Sequence, residues 1–161
     1  MPLHNPAALK DLVPPGRRLM GLDVGTKTVG LALSDTRLVI ASPLETLRRG
    51  KRFRDDAATL KTLIEKHGVG GLVIGWPVSM DGSEGPRCQS VRQFAKNLDE
   101  AAPLPQAFWD ERLSTAAVTR GMIAHDMTRA RRAAIVDRVA AAYILQTCLD
   151  FLARQGAGPP P

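Results

Sequence analysis

Apolar residues come in short runs along this chain, and each run is closed by a breaker. Leu19 to Leu22 form a compact apolar run of the kind buried in the middle of a sheet. Asp23 interrupts it, Gly25 and Gly30 bracket a turn, and Val29, Leu31 and Leu33 alternate with smaller residues as a returning strand does. Leu38-Val39-Ile40-Ala41 is expected as a third strand ending towards Pro43, which makes an antiparallel meander. Phe53, Ala57, Leu60, Ile64 and His67 recur at helical spacing with Gly68 as the stop. His67 suits a helix end, where the dipole favours cations. Leu72-Val73-Ile74-Gly75 reads as a buried parallel strand, and it leads into a loop from Trp76 to Gly85 rich in breakers.

The helix after that loop shows Val91, Phe94, Ala95 and Leu98 on one face. Ala107-Phe108-Trp109 is expected as a strand running directly into Asp110-Glu111-Arg112. Ser114 or Thr115 caps a helix to about Ile123. The last helix is expected to bury Val136, Ala140, Tyr143, Ile144, Thr147 and Phe151. A hairpin start followed by βαβ crossovers predicts an α/β fold, a mixed five-stranded sheet with helices on both faces.

The chain has 161 residues, which favours one domain around one core. That domain is placed at residues 17–153. A flexible N-terminal tail over 1–16, proline-rich and without apolar period, and a disordered tail over 154–161 flank it. The formal charge of +6 favours a polyanionic partner, nucleic acid first, although an unspecialised basic surface gives the same number. Aromatic residues make up only 4%, which argues against a single-strand binder built on stacking platforms. Cys88 and Cys148 stand far apart without a C-x-x-C partner, which excludes a zinc site of their own and suits a reducing compartment. No run approaches the ~18 apolar residues of a membrane span, and no secretory signal pattern opens the chain. A cytoplasmic location without membrane attachment is expected.

Acids in apolar surroundings occur at three separated places: Asp23, the pair Asp110-Glu111 at a strand end, and Asp137 beside Val136 near the start of the last helix. If the first and last strands are neighbours, Asp23 and Glu111 reach the same sheet end, and a helix on that face brings Asp137 beside them. Clustered carboxylates repel unless divalent cations occupy the site. Mg²⁺ or Mn²⁺ fits, being hard cations with oxygen ligands, and a pair of such ions serves phosphodiester hydrolysis. Each acid alone has an ordinary structural explanation: a dipole-favoured helix start for Asp137, solvated strand ends for Asp110 and Glu111. All three explanations holding together is the weaker account.

Arg129, Arg131 and Arg132 stand just before or within the first turn of the last helix, where the dipole disfavours cations, which points to a phosphate backbone passing there. Lys27 and Arg112 are further contacts to a scissile phosphate, with an ion pair to a neighbouring carboxylate as the alternative for Arg112. The basic run Arg48 to Arg54 reads equally as a phosphate contact or a solvated connection. Asp81-Gly82 reads as a tight turn; the functional alternative is a loop positioning substrate at the same sheet end, with Asp81 as a metal ligand the lesser option.

At these residues the chain resembles the YqgF/RuvX family, the candidate pre-16S rRNA nucleases, relatives of the RuvC Holliday-junction resolvases. The resemblance rests on Gly21-Leu22-Asp23-Val24-Gly25-Thr26-Lys27 with Gly30, on Gly75-Trp76-Pro77 with Met80-Asp81-Gly82 and Gly85, on Asp110-Glu111-Arg112-Leu113-Ser114-Thr115, and on Val136-Asp137 leading into Ala140-Ala141 and Ile144-Leu145. The motifs run in family order, and the D-E-R-L-S-T segment is the most specific. The resemblance implies a ribonuclease H-like fold and nuclease action in maturing the 16S rRNA precursor. It also implies Asp23, Glu111 and Asp137 as metal-binding catalytic acids, with Asp110 an accessory. Trp76 departs from the smaller aliphatic residue usual in the family, and the N-terminal extension is longer than usual.

Three functions compete. The first is a Mg²⁺- or Mn²⁺-dependent nuclease on precursor rRNA. The second is a Holliday-junction resolvase on branched DNA, which needs two coordinated sites and hence a homodimer rather than a monomer. The third is a non-catalytic rRNA-binding assembly factor. A sugar-kinase or actin-like ATPase shares the D-x-G-T element, but needs a second lobe for which 161 residues leave no room.

Overall fold

The computed structural model describes residues 5–78, 81–113 and 129–156, with the side chains of 129–134 and 156 outside that description. Five strands form one mixed sheet in the order β3-β2-β1-β4-β5. β1 (Arg18–Val24) pairs antiparallel with β2 (Thr28–Ser34), and β2 with β3 (Ala41–Arg48). On the other side β1 pairs parallel with β4 (Val69–Trp76), and β4 with β5 (Gln106–Asp110). The predicted α/β architecture is the one observed.

Period-two alternation sorts the strands between two cores. Met20, Leu22, Val24, Val29, Leu31, Leu72 and Ile74 face one side with Leu60, Ile64, Val91, Phe94 and Leu98. Those last residues belong to helices α2 (Phe53–His67) and α3 (Pro86–Ala101). Leu19, Ala32, Val73, Ala107 and Trp109 face the other side, against helix α4 (Arg129–Gly156) through Ala140, Ala141, Ile144, Leu145 and Leu149. α2 ends as read from the sequence: Gly68 adopts φ +64°, a left-handed conformation that glycine takes without steric cost, and its N–H bonds back to Glu65 and Ile64.

Four expectations are corrected. The third strand starts at Ala41 rather than Leu38, because Asp35 turns the chain by accepting from the N–H groups of Val39 and Ile40; both of these apolar residues stay exposed. Residues 5–16 are not a loose tail throughout. Asn5 caps a short 3-10 turn, a single helical turn α1 (Leu9–Leu12) follows, and Leu9 and Val13 are buried in the α4-side core. Two apolar residues four apart sufficed to dock a segment too short to show a period. Tyr143 faces outward, and Ala141, Leu145 and Cys148 fill the buried stripe of α4 instead, because the helix is rotated about its axis relative to the predicted face. α4 also continues to Gly156, past the expected boundary at 153.

The helix predicted from Ser114 or Thr115 to Ile123, and the end of the C-terminal tail at 157–161, lie outside the described residues. Both cysteines are free and buried on helices packed against opposite sheet faces, and burial pushes the Cys148 thiol up to about 12. Among the described residues, no helix is long and apolar enough to cross a membrane.

Candidate active site at the carboxyl end of the sheet

The parallel strands β1, β4 and β5 end on the same edge, and β1 is where the chain changes from antiparallel to parallel pairing. Such edges are where open α/β sheets gather ligands. The condition set on the sequence, that the first and last strands be neighbours, does not hold: β4 lies between them. Parallel pairing delivers the same result by another route. Leu22 pairs with Ile74 and Gly75 with Trp109, so one step further along β1 Asp23 comes level with Gly75.

Asp23 is 3% exposed, among the few buried charged or polar side chains of the described residues. Leu22 and Val24 pack on the α2–α3 side, so the intervening Asp23 faces α4, as do Leu19 and Gly21 below it. Glu111 opens the 3-10 turn Glu111–Leu113 directly after β5 and is half-buried. Its Oε1 lies 2.8 Å from the point where a Gly75 β-carbon would stand. The missing side chain in β4 is what lets Glu111 lie back over the strand that separates it from Asp23.

Asp137 completes the arrangement from α4. The helix begins at Arg129, so Asp137 sits two turns inside it rather than in its first turn. The dipole effect fades beyond the first turn, which removes the ordinary explanation for an acid here. Thr28 Oγ1, at the start of β2, donates a hydrogen bond to Asp137 Oδ2. Gly30 pairs with Asp23 across the β1–β2 ladder, and its α-carbon rests against the Asp137 main chain. Gly30 therefore belongs to the strand and not to the turn for which the sequence pattern cast it. Gly25 does serve the turn, its N–H donating to the Thr28 carbonyl at 2.8 Å.

Asp23, Glu111 and Asp137 thus share one edge and one face, carried by three separate elements. Among the described residues, no three acidic, histidine or cysteine side chains are drawn close enough to clasp a metal ion. Asp110 belongs elsewhere. It precedes Glu111 on the strand and is engaged by Arg112, whose Nη2 lies 2.6 Å from its Oδ2 while the Arg112 N–H donates to Oδ1 at 2.9 Å. Those bonds hold its carboxyl below the usual range, and the guanidinium rises in turn. The ion pair named as the alternative for Arg112 is present.

Asp81 accepts from Ser83 N–H and Oγ in a tight turn, and these bonds lower its pKa. Arg112 adds to that lowering, which places this loop beside the same edge. Lys27 is exposed on the β1–β2 turn. Arg129, Arg131 and Arg132 lie in the first turn of α4, with side chains outside the described residues. Sequence reasoning missed Thr28 and the spacing role of Gly75; a hydroxyl and a glycine carry no charge to mark them.

Residues 17–151 match the family model described as RuvX, Holliday junction resolvase. The chain is similar to a protein of Paramagnetospirillum magneticum named as a candidate pre-16S rRNA nuclease, with 57% identity over 150 residues, 93% of this chain and 96% of that one. A Rhodospirillum rubrum protein of the same name is 54% identical over 156 residues, 96% of each chain. Among solved structures, T. thermophilus RuvC in complex with a Holliday junction substrate aligns with a TM-score of 0.54 at 14% identity, covering 90% of this chain and 99% of that one. That likeness extends to the fold, which is ribonuclease H-like.

Proposed function

The chain belongs to the RuvX family, and from that premise we propose that it is a nuclease hydrolysing phosphodiester bonds, acting on the 16S rRNA precursor in ribosome biogenesis. The observation that carries the reading is the convergence of Asp23, Glu111 and Asp137 on one edge of the sheet, around a position left open by Gly75. The names of the relatives support the substrate and with it a cytoplasmic location, and the net charge of +6 supports a polyanionic partner.

The donor set fits a divalent cation in kind. It offers carboxylate oxygens only, from three elements, with no soft ligand among them. We assign Asp23, Glu111 and Asp137 as the groups that hold Mg²⁺ or Mn²⁺, as a pair of ions. Bound there, such ions lower the pKa of an attacking water and stabilise charge on the leaving oxygen.

The chain's own residues do the rest. Asp23 stands on a buried central strand, which fixes the backbone that carries its carboxylate. Thr28 orients the Asp137 carboxylate by donating to one of its oxygens. Asp110 keeps Arg112 beside the active edge, where a guanidinium can meet a phosphate. Arg129, Arg131 and Arg132, in the first turn of α4, are assigned as further phosphate contacts.

Incubation of the purified protein with a 16S rRNA precursor and Mg²⁺ or Mn²⁺ tests the assignment. Cleavage is expected from the wild type and is lost in Asp23→Asn. Equal cleavage by both proteins would sink the catalytic role. A resolvase acting on branched DNA as a homodimer is the second reading, favoured by the family description. Resolution of a four-way junction in the same assay, with precursor rRNA left intact, would replace the first reading by the second.

A further inference from the structure

On the other side of β1 from the acids lies a cleft of about 420 Å³, bounded by the β1–β2 turn, the end of β3 and the first turns of α3. Gly25, Lys27, Arg48, Arg49, Arg87 and Ser90 are among its lining residues. Four cations therefore converge on one hollow. The carboxylate placed against them is Asp56, 4.0 Å from Arg49 and itself accepting from the Gly50 N–H at 2.8 Å. Lys27, Arg48 and Arg87 are exposed, so their charges are open to a ligand.

The cleft is built rather than incidental. Arg49 donates to the Gly25 carbonyl at 2.8 Å and lies over the Phe94 ring at 5.3 Å, while its own N–H bonds the Lys27 carbonyl at 2.8 Å. Arg87 reaches the Val24 carbonyl at 3.4 Å. Two arginines thus grip the turn that directly follows Asp23. Among the described residues no aromatic ring lines the cleft, whereas an anion finds cations on three sides.

We infer that this cleft binds a backbone phosphate of the nucleic-acid substrate, flanking the phosphate presented to Asp23 on the opposite side of the same strand. The inference rests on the nucleic-acid reading above and extends it. Arg48 and Arg87 supply charge-assisted contacts, and Arg49 fixes the wall. Binding of this kind positions a chain without reading its bases.

The test is the salt dependence of binding, measured by fluorescence anisotropy on a labelled single-stranded RNA in EDTA, with the full chain. The double variant Arg48→Gln/Arg87→Gln is expected to bind roughly 10-fold more weakly at low salt. The slope of log affinity against log salt should be shallower by about 0.7, one single-strand phosphate contact. Lys61→Gln/Lys96→Gln removes the same charge from exposed sites on α2 and α3 outside the cleft and should move the slope little. Arg48→Lys/Arg87→Lys should retain most of the slope, which separates lost charge from lost folding.

Wild-type affinity and slope in the glutamine pair would overturn the inference, as would equal losses in the Lys61 and Lys96 control. Failure here is distinct from failure of the nuclease reading. A wild type that binds through the cleft yet cleaves no precursor overturns the latter alone, and cleavage with cleft-independent binding overturns the former alone.

Discussion

The main chain of Asp137 occupies the place where a side chain on Gly30 would have to be. A β-carbon added at that residue collides with the Asp137 carbonyl and comes within 2.9 Å of the Arg138 nitrogen. Helix α4 therefore meets β2 backbone to backbone at the height of Asp23, which is the ladder partner of Gly30.

Gly30→Ala cannot be absorbed by a rotamer change, since the obstacle is helix backbone. Moving α4 away disturbs the core formed by Ala140, Ile144 and Leu145. A loss of at least about 2 kcal/mol is expected from urea unfolding, in the range of overpacked cores. Gly50→Ala, where the nearest atom is a side-chain oxygen at 3.5 Å, should stay within about 0.5 kcal/mol.

Gly75→Ala should behave in the opposite way. Its β-carbon meets Glu111 Oε1 and Ile144 Cδ1, both at 2.8 Å and both at the ends of flexible side chains. Stability should fall by less than about 1.5 kcal/mol. Cleavage should drop steeply, because Glu111 is the group displaced. A stable variant with full activity would remove Glu111 from the site.

Thr28→Val takes away the donor to Asp137 while keeping the shape of the side chain. The expected cost in stability is about 1 kcal/mol. Cleavage should fall 10- to 100-fold, roughly what losing the partner of a metal-binding group costs, and Thr28→Ser should recover most of it. Metal titration of both variants, followed by activity, separates weakened ion binding from a slower chemical step.

Acid titration reports on Asp110. Arg112 holds its carboxyl below the ordinary value, so the folded state binds this proton less readily than the unfolded chain. The stabilisation is complete above the unfolded value of about 3.9 and is lost as pH falls through the lower, folded value. Wild-type melting temperature should therefore decline below about pH 4. Asp110→Asn should decline less over that interval and match the wild type more closely at its acid end. Parallel curves would mean the ion pair contributes nothing to folding.

The architecture was legible because its signals are local. Helix α2 ran from Phe53 to His67 and stopped at Gly68 as its spacing and its stop residue indicated, and the burial of Val91, Phe94, Ala95 and Leu98 followed from one helical face. Asp23, Glu111 and Asp137 stood out as charges in apolar company. Thr28 and Gly75 did not, since their importance lies in what they face across the sheet. The shift of β3 had a similar cause: Val39 and Ile40 favour a strand, but the side chain of Asp35 bonds their N–H groups first. Tyr143 was misplaced because α4 is apolar over more than one face, leaving its rotation to the glycines of the sheet.

The acids and the basic cleft lie on opposite sides of β1 at its carboxyl end. A polymer engaged by both must fold over the edge of a single sheet. Double-helical DNA is stiff over about 50 nm and cannot follow so sharp a rim without kinking. Unpaired strands and the branch point of a junction bend there freely. If one polymer engages both, as inferred above, the sheet edge would favour pliant substrates over stiff duplex.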